Sequence, residues 1–527
     1  MAFDRKAGIL AHPSSLPGSA GIGTFGKPSF DFVDFLVESG MKVWQVLPLG
    51  PTGYGDSPYQ SFSTFALNPL FIDFDELTAE GLAPKIRHPA SVRKEGDVDY
   101  GAVVSWKTRV LQDISRKFVA KIADAEATGY SDIKQEFRVF CQENDFWLRD
   151  FAAFMSIKTF YDTKAAHEGV SSVWNVYWPK ELARHESTAV DSWVNAHSVE
   201  FLQYEVIQFF AFKQWKKLHE YASSKGVEII GDIPIFVASD SADVWANQNY
   251  FKIDGDLHFL DVAGVPPDYF SKTGQLWGNP LYDWNAIKND GWSWWISRVR
   301  HVLSIVDILR LDHFRGFESY WAIPSSSATA ENGKWEKGPG IELFDALKKS
   351  ISPDSPLPVI AEDLGIITED VARLRDECGF PGMKVLQFAF DRTEKEKGLK
   401  NSFLPHNFET PNCIVYTGTH DNDTTRGYVE SLDERTLDLL SLYLNAKKTW
   451  GATELTKELV RLAFSSTARI AVIPLQDVYC IGSEGRMNRP STSGSNWGWR
   501  SARSMVKGVK ASETASWLKK LCILFGR

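Results

Sequence analysis

Seven residues, RLDHFRG at 310–316, crowd two arginines, an aspartate and a histidine directly behind the apolar run VDIL. Two more stretches share the habit. LPVIAEDLG ends in Glu362 and Asp363, and CIVYTGTHDND ends in His420, Asp421 and Asp423. Cleaving an acetal such as a glycosidic bond takes a pair of carboxyl groups, one to give a proton and one to attack or stabilise the sugar, so three carboxylate-bearing ends point to glycoside chemistry. Arg310 lies two residues before Asp312 on the same strand face, where an opposite charge keeps the carboxylate ionised and ready as a nucleophile. Glu362 and Asp363 alternate in direction, so one of them is a bystander. A single Arg-x-Asp is also what an ordinary structural ion pair looks like; three such strand ends together favour a site.

The elements that must position these groups are short, β-rich apolar runs ending in polar or Gly/Pro signals. They occur at 7–15, 42–50, 227–237, 306–314, 357–365, 383–390, 413–421 and 470–478. Continuous apolar runs mark strands buried on both faces, the habit of parallel sheets wrapped by helices. Between the first two runs, KPSFDFVDFLVESG has Pro28 in its first turn, apolar Phe32, Phe35 and Leu36, and Gly40 at the stop, which predicts a βαβ unit. Eight such strands predict an α/β fold, a (β/α)8 TIM barrel, with the catalytic groups at the C-terminal strand ends. About 175 residues separate the second and third runs, far more than one crossover needs. The spacing therefore predicts a barrel begun in 1–55, a mostly helical inserted subdomain over 56–225, and the rest of the barrel over 226–527. An irregular insertion rich in Gly, Pro and Trp is expected at 238–290, on the rim where binding loops collect.

Composition narrows the function classes. The chain has 527 residues, 43% hydrophobic and 24% charged, which is the profile of a soluble globular protein. A net charge of -9 with no long basic block argues against nucleic acid as a partner. No apolar run reaches the roughly 20 residues of a membrane span, and no secretory leader is expected behind MAFDRKAGIL. Five widely spaced cysteines without CxxC patterns argue against a disulfide framework or zinc site and fit a reducing cytoplasm. Nineteen tryptophans are mostly core, yet an excess of flat aromatic faces also suits neutral ligands such as sugars.

Seven longer motifs carry a resemblance. TGYGDSPYQSFSTFALNP (52–69), GDIPIFVASDSADVW (231–245), GQLWGNPLYDW (274–284), LRLDHFRG, IAEDLG, YTGTHDNDTTRG (416–427) and GSEGRMNRP (482–490) resemble, in order and spacing, the amylomaltases. These are 4-α-glucanotransferases, or disproportionating enzymes, of the α-amylase clan. The resemblance implies a retaining transglycosylase acting on α-1,4-glucans (maltooligosaccharides, amylose, starch or glycogen), with no metal or organic cofactor. It implies Asp312 as nucleophile, Glu362 as general acid/base and Asp421 as transition-state stabiliser. Tyr59 resembles the family's sugar-stacking tyrosine, and Trp277 an aromatic platform for the acceptor. Arg310 supports the nucleophile, and His313 and His420 are expected to donate to sugar hydroxyls. Asp232, Gln275, Asp391 and Asn488 match positions lining the donor groove, and Tyr54 a secondary glucan site.

Rival readings remain at this level. A plain α-glucan hydrolase would use the same carboxylates, and a silent glucan-binding protein would be expected to have lost at least one of them. GIGTFG (21–26) has the G-x-G-x-x-G spacing of a dinucleotide loop but lacks the strand directly before it and the acidic residue after it. The sequon at Asn422 falls inside the proposed site. Histidines beside Asp312 and Asp421 could ligate a metal, but no further His-x-His or Glu-rich strand end supports one.

Overall fold

The structure, a computed structural model, describes residues 4–93, 95–124, 131–267, 271–365, 367–390, 400–492 and 494–527. Its strands are β1 (Lys6–Leu10), β2 (Val43–Gln45), β3 (Glu228–Pro234), β4 (Asp261–Val265), β5 (Gln275–Pro280), β6 (Ile308–Asp312), β7 (Ser319–Pro324), β8 (Lys334–Lys337), β9 (Val359–Ala361), β10 (Gly382–Val385), β11 (Cys413–Tyr416) and β12 (Ile470–Pro474). Eight of them, in the order β10-β11-β12-β1-β2-β3-β6-β9, form one parallel sheet. The two ends of that sheet meet where the Ala361 amide donates to Pro381 O at 3.0 Å, so it curls into the expected (β/α)8 barrel. Each of the eight apolar runs read from the sequence overlaps one of these strands.

The local chemistry explains the closure. Gly8 in β1 is needed because a Cβ there would lie 2.5 Å from Val43 of the neighbouring strand. The helix Lys27–Glu38 starts behind Gly26 with Pro28 in its first turn, buries Phe32, Phe35 and Leu36, and gives way to Gly40 at φ 73°. It delivers Phe32 to Trp44 of β2, 5.2 Å between ring centroids. Trp44 in turn meets Trp215 of the long helix Ser198–Ser224. Both indoles are fully buried with their N–H groups satisfied, by Ala11 O and Ile305 O. Burial of side chains this large contributes about 4–6 kcal/mol each. The last helix before β3 is therefore a barrel crossover helix as well as a wall of the preceding helical segment. That segment also holds the helices Tyr100–Ala123 and Ser131–Glu168.

The rim departs from expectation. Residues 238–290, read as irregular, instead supply β4 and β5, which join β7 and β8 in a four-stranded antiparallel sheet ordered β5-β4-β7-β8. The pairing of β4 with β7 links residues about 60 positions apart (Asp261 with Pro324). Local pattern could not reveal it, because the alternation is broken by Gly264, Gly278 and a register shift between Val262 and Gly264.

Candidate active site

Parallel strands bring all their C-terminal ends to one rim, and three of them carry carboxylates there. Asp312 closes β6, Glu362 is the first residue after β9, and His420 and Asp421 follow β11. Arg310, buried in β6, places one guanidinium nitrogen 2.9 Å from Asp312 Oδ1 and 2.6 Å from Asp232 Oδ2 on β3. Tyr59 OH donates to the same Asp232 oxygen at 2.8 Å. The Tyr59 ring stacks on His420, centroids 5.2 Å apart and planes within 18°, with Trp497 at 5.9 Å from both rings. Asp421 accepts a hydrogen bond of 2.6 Å from Asn488 Nδ2 and lies 3.3 Å from His420 Nε2. From the rim sheet, Trp277 on β5 donates to Gln275 Oε1 at 3.2 Å and meets the His313 ring edge-to-face at 4.9 Å.

Glu362 is held differently from the other carboxylates. Its Oε2 accepts from the His313 amide and its Oε1 from the Leu364 amide, each at 2.8 Å. His313 reaches that position with φ 52° and ψ 51°, a left-handed conformation that costs a non-glycine residue about 1–3 kcal/mol. Desolvation in the cleft, followed by the negative charge of Asp312, pushes the Glu362 carboxyl up to about 7, against the pull of Arg310 and the two amides. Asp421 goes the other way: against desolvation, His420 and Asn488 hold it well below the usual carboxylate range. His420 is correspondingly raised, since Asp421 outweighs the burial that opposes its protonation. Burial lowers His313 to about 4, leaving a neutral imidazole there. The geometry thus separates Glu362, a carboxyl that keeps a proton near neutrality, from Asp421, which does not.

Asp363 proves to be the bystander of its pair, turned away to accept from Arg375 Nη1 at 2.5 Å and the Met383 amide at 2.7 Å. Asp312, Glu362, Asp421, Arg310, Asp232, Tyr59, His313, His420, Trp277, Gln275 and Asn488 are all linked by the contacts above. Asp391 lies outside the described residues, and so does the side chain of Tyr54. Sequence reasoning missed several neighbours. His12, after β1, is buried with no hydrogen-bond partner for Nδ1 among the described residues, and burial with His420 nearby lowers it to about 3. Asp477, after β12, accepts from Thr417 Oγ1, Thr425 Oγ1 and the Thr425 amide at 2.6–2.7 Å, bracketing the loop that carries His420 and Asp421. Its position at the polar end of the run 470–478 was the available signal.

The family model of the 4-α-glucanotransferases (Glyco_hydro_77) matches residues 11–505. The chain belongs to this family. It is 46% identical to the 4-α-glucanotransferase of Synechocystis sp. over 94% of both chains, and 44% identical to that of Thermus thermophilus over 95% of both. Among solved structures, it matches the amylomaltase from Streptococcus agalactiae in complex with acarbose with a TM-score of 0.89, 38% identity and 99% coverage of each chain. The activity is accordingly 4-α-glucanotransferase activity, the movement of α-1,4-glucan segments from donor to acceptor. Among the described residues no helix is long and apolar enough to cross a membrane.

Proposed function

We propose that Asp312, Glu362 and Asp421 carry out this transfer by double displacement. Asp312 Oδ attacks the anomeric carbon as Glu362 gives its proton to the departing glycosidic oxygen, which breaks the C1–O bond and leaves a glycosyl ester on Asp312. Glu362, now ionised, takes the proton of an acceptor 4-OH, whose oxygen attacks C1 and expels Asp312. Configuration at C1 is retained and both carboxyls return to their starting states. Asp421, negative throughout, stabilises the oxocarbenium-like charge. Arg310 fixes Asp312 and Asp232, while Tyr59, Asp232, Gln275, Asn488, His313 and His420 line the donor groove and Trp277 forms the acceptor platform. Asp391 and Tyr54 stay in the reading as a groove residue and a secondary-site residue.

The observation that carries this reading is the contrast between a desolvated Glu362 beside Asp312 and an Asp312 in contact with Arg310. The ligands are taken to be α-1,4-glucans, from maltooligosaccharides to amylose, starch or glycogen; the acarbose complex of the Streptococcus agalactiae amylomaltase supports that choice. The division into barrel and inserted subdomain over 56–225 belongs to the same reading, as does a cytoplasmic location, which the five free cysteines suit. Maltotriose tests the proposal. A ladder of longer oligosaccharides plus glucose, abolished in Asp312→Asn and Glu362→Gln, is the expected result. Maltose and glucose alone, or a ladder that survives either substitution, would overturn it.

A further inference from the structure

Arg298 has no role in the chemistry above, yet it is the largest charged side chain sealed completely from solvent. It sits on the helix Ser293–Ile305, between the faces of Trp295 and Trp294 at 4.8 and 5.4 Å. Among the described residues no carboxylate lies within ion-pair distance of it. Its donors go elsewhere: Nε to Thr64 Oγ1 at 2.7 Å, Nη2 to Pro234 O at 2.6 Å, and Nη1 to Ile235 O at 3.1 Å and Tyr282 OH at 3.4 Å. Each acceptor belongs to a segment that carries a groove residue. Thr64 lies five residues after Tyr59, Pro234 two after Asp232, and Tyr282 follows β5, which bears Gln275 and Trp277.

A buried cation that touches no carboxylate and feels only the charge of Asp243 through space is a poor source of stability, since its desolvation is offset mainly by neutral acceptors and indole faces. Apolar packing would serve the core better. What a guanidinium supplies, and an apolar side chain cannot, is a rigid planar fork that fixes several acceptors in one geometry. We infer that Arg298 is a positioning residue of the donor groove, clamping the loop that carries Tyr59 to the strand ends that carry Asp232 and Trp277. Two neighbours reinforce the grip on that loop: the Thr64 amide donates to Asp243 Oδ2 at 2.8 Å, and His301 Nε2 bonds Phe65 O at 2.8 Å. The inference rests on the placement of Tyr59 in the donor groove.

The test uses Arg298→Lys, Thr64→Val, Thr64→Ser and Tyr59→Ala in the full chain. An ammonium cannot reach all three segments, and valine removes one clamp point without adding bulk. Arg298→Lys and Thr64→Val are expected to raise KM for maltotriose about tenfold while kcat stays within about twofold, the scale on which a slightly displaced binding group is felt. Thr64→Ser, which keeps the hydroxyl, restores wild-type KM. In a Tyr59→Ala background neither change raises KM further, because the group they position is gone. A lower melting temperature with unchanged KM, or an equal KM effect with and without Tyr59, would overturn the positioning role. Should Arg298→Lys fail to fold, the two threonine variants decide alone. If Tyr59→Ala itself leaves KM unchanged, the groove assignment of Tyr59 falls and the inference with it; a raised KM in Tyr59→Ala with a silent Thr64→Val sinks only the inference.

Discussion

The surroundings of Glu362 decide whether it holds a proton. Desolvation and the Asp312 charge raise Glu362 to about 7, so the alkaline limb of the kcat/KM profile should fall near that value as the acid is lost. A limb above pH 9 would contradict the assignment. Replacing Glu362 by Gln removes the proton donor and should lower kcat for maltotriose by roughly 10²–10⁴-fold, the range general acid catalysis supplies, with the melting temperature little changed. Retention of more than a tenth of wild-type turnover would contradict it. At this scale the sequence was informative where charge clustered at strand ends, as with Arg310, Asp312, Glu362 and Asp421. It was silent where a residue acts alone. His12 and Trp497 have no spacing partner to mark them, and strand alternation left the split between Glu362 and Asp363 open until the family resemblance pointed to Glu362.

The loop from Thr417 to Thr425 depends on Asp477, which collects three hydrogen bonds from its two ends. Asp477→Ala would orphan those donors in a buried setting and should cost about 3 kcal/mol. Urea denaturation measures this, and an unchanged midpoint would show that the loop does not need the bracket. The rim sheet places a second element over the cleft, with Trp277 against His313. Trp277→Ala should lower the ratio of transfer to hydrolysis, read from glucose and oligosaccharide yields, because an acceptor that is not held gives way to water. An unchanged ratio would remove Trp277 from the acceptor platform. The barrel strands were legible because burial on both faces leaves an unbroken apolar run. The rim strands were not, because β4 and β5 are interrupted by Gly264, Gly278 and a register shift, and β4 pairs with β7 from about 60 positions away.

Across the whole molecule, eight strand ends converge because the sheet closes on itself, and the seam between β12 and β1 is tied from below. Arg5 donates to Phe464 O, Ser466 O, Ala468 O and Phe525 O, joining the first strand to the helix Ala452–Ser465 and to the helix Val509–Phe525. Arg5→Met should therefore lower stability by about 1–3 kcal/mol, as Phe525 O loses the Arg5 donor and the carbonyls of Phe464, Ser466 and Ala468 keep only the bonds from Arg527, while kcat is unchanged. A loss of activity without a loss of stability would count against that division of labour between the two ends of the barrel. The account as a whole turns on a covalent glycosyl ester at Asp312. Incubation of Glu362→Gln with an α-maltosyl fluoride, whose leaving group needs no acid, should build up that ester, and peptide mass spectrometry reads its site. A maltosyl adduct on the peptide containing Asp312 is the predicted result; fluoride release with no adduct, or an adduct on another carboxylate, would contradict the account.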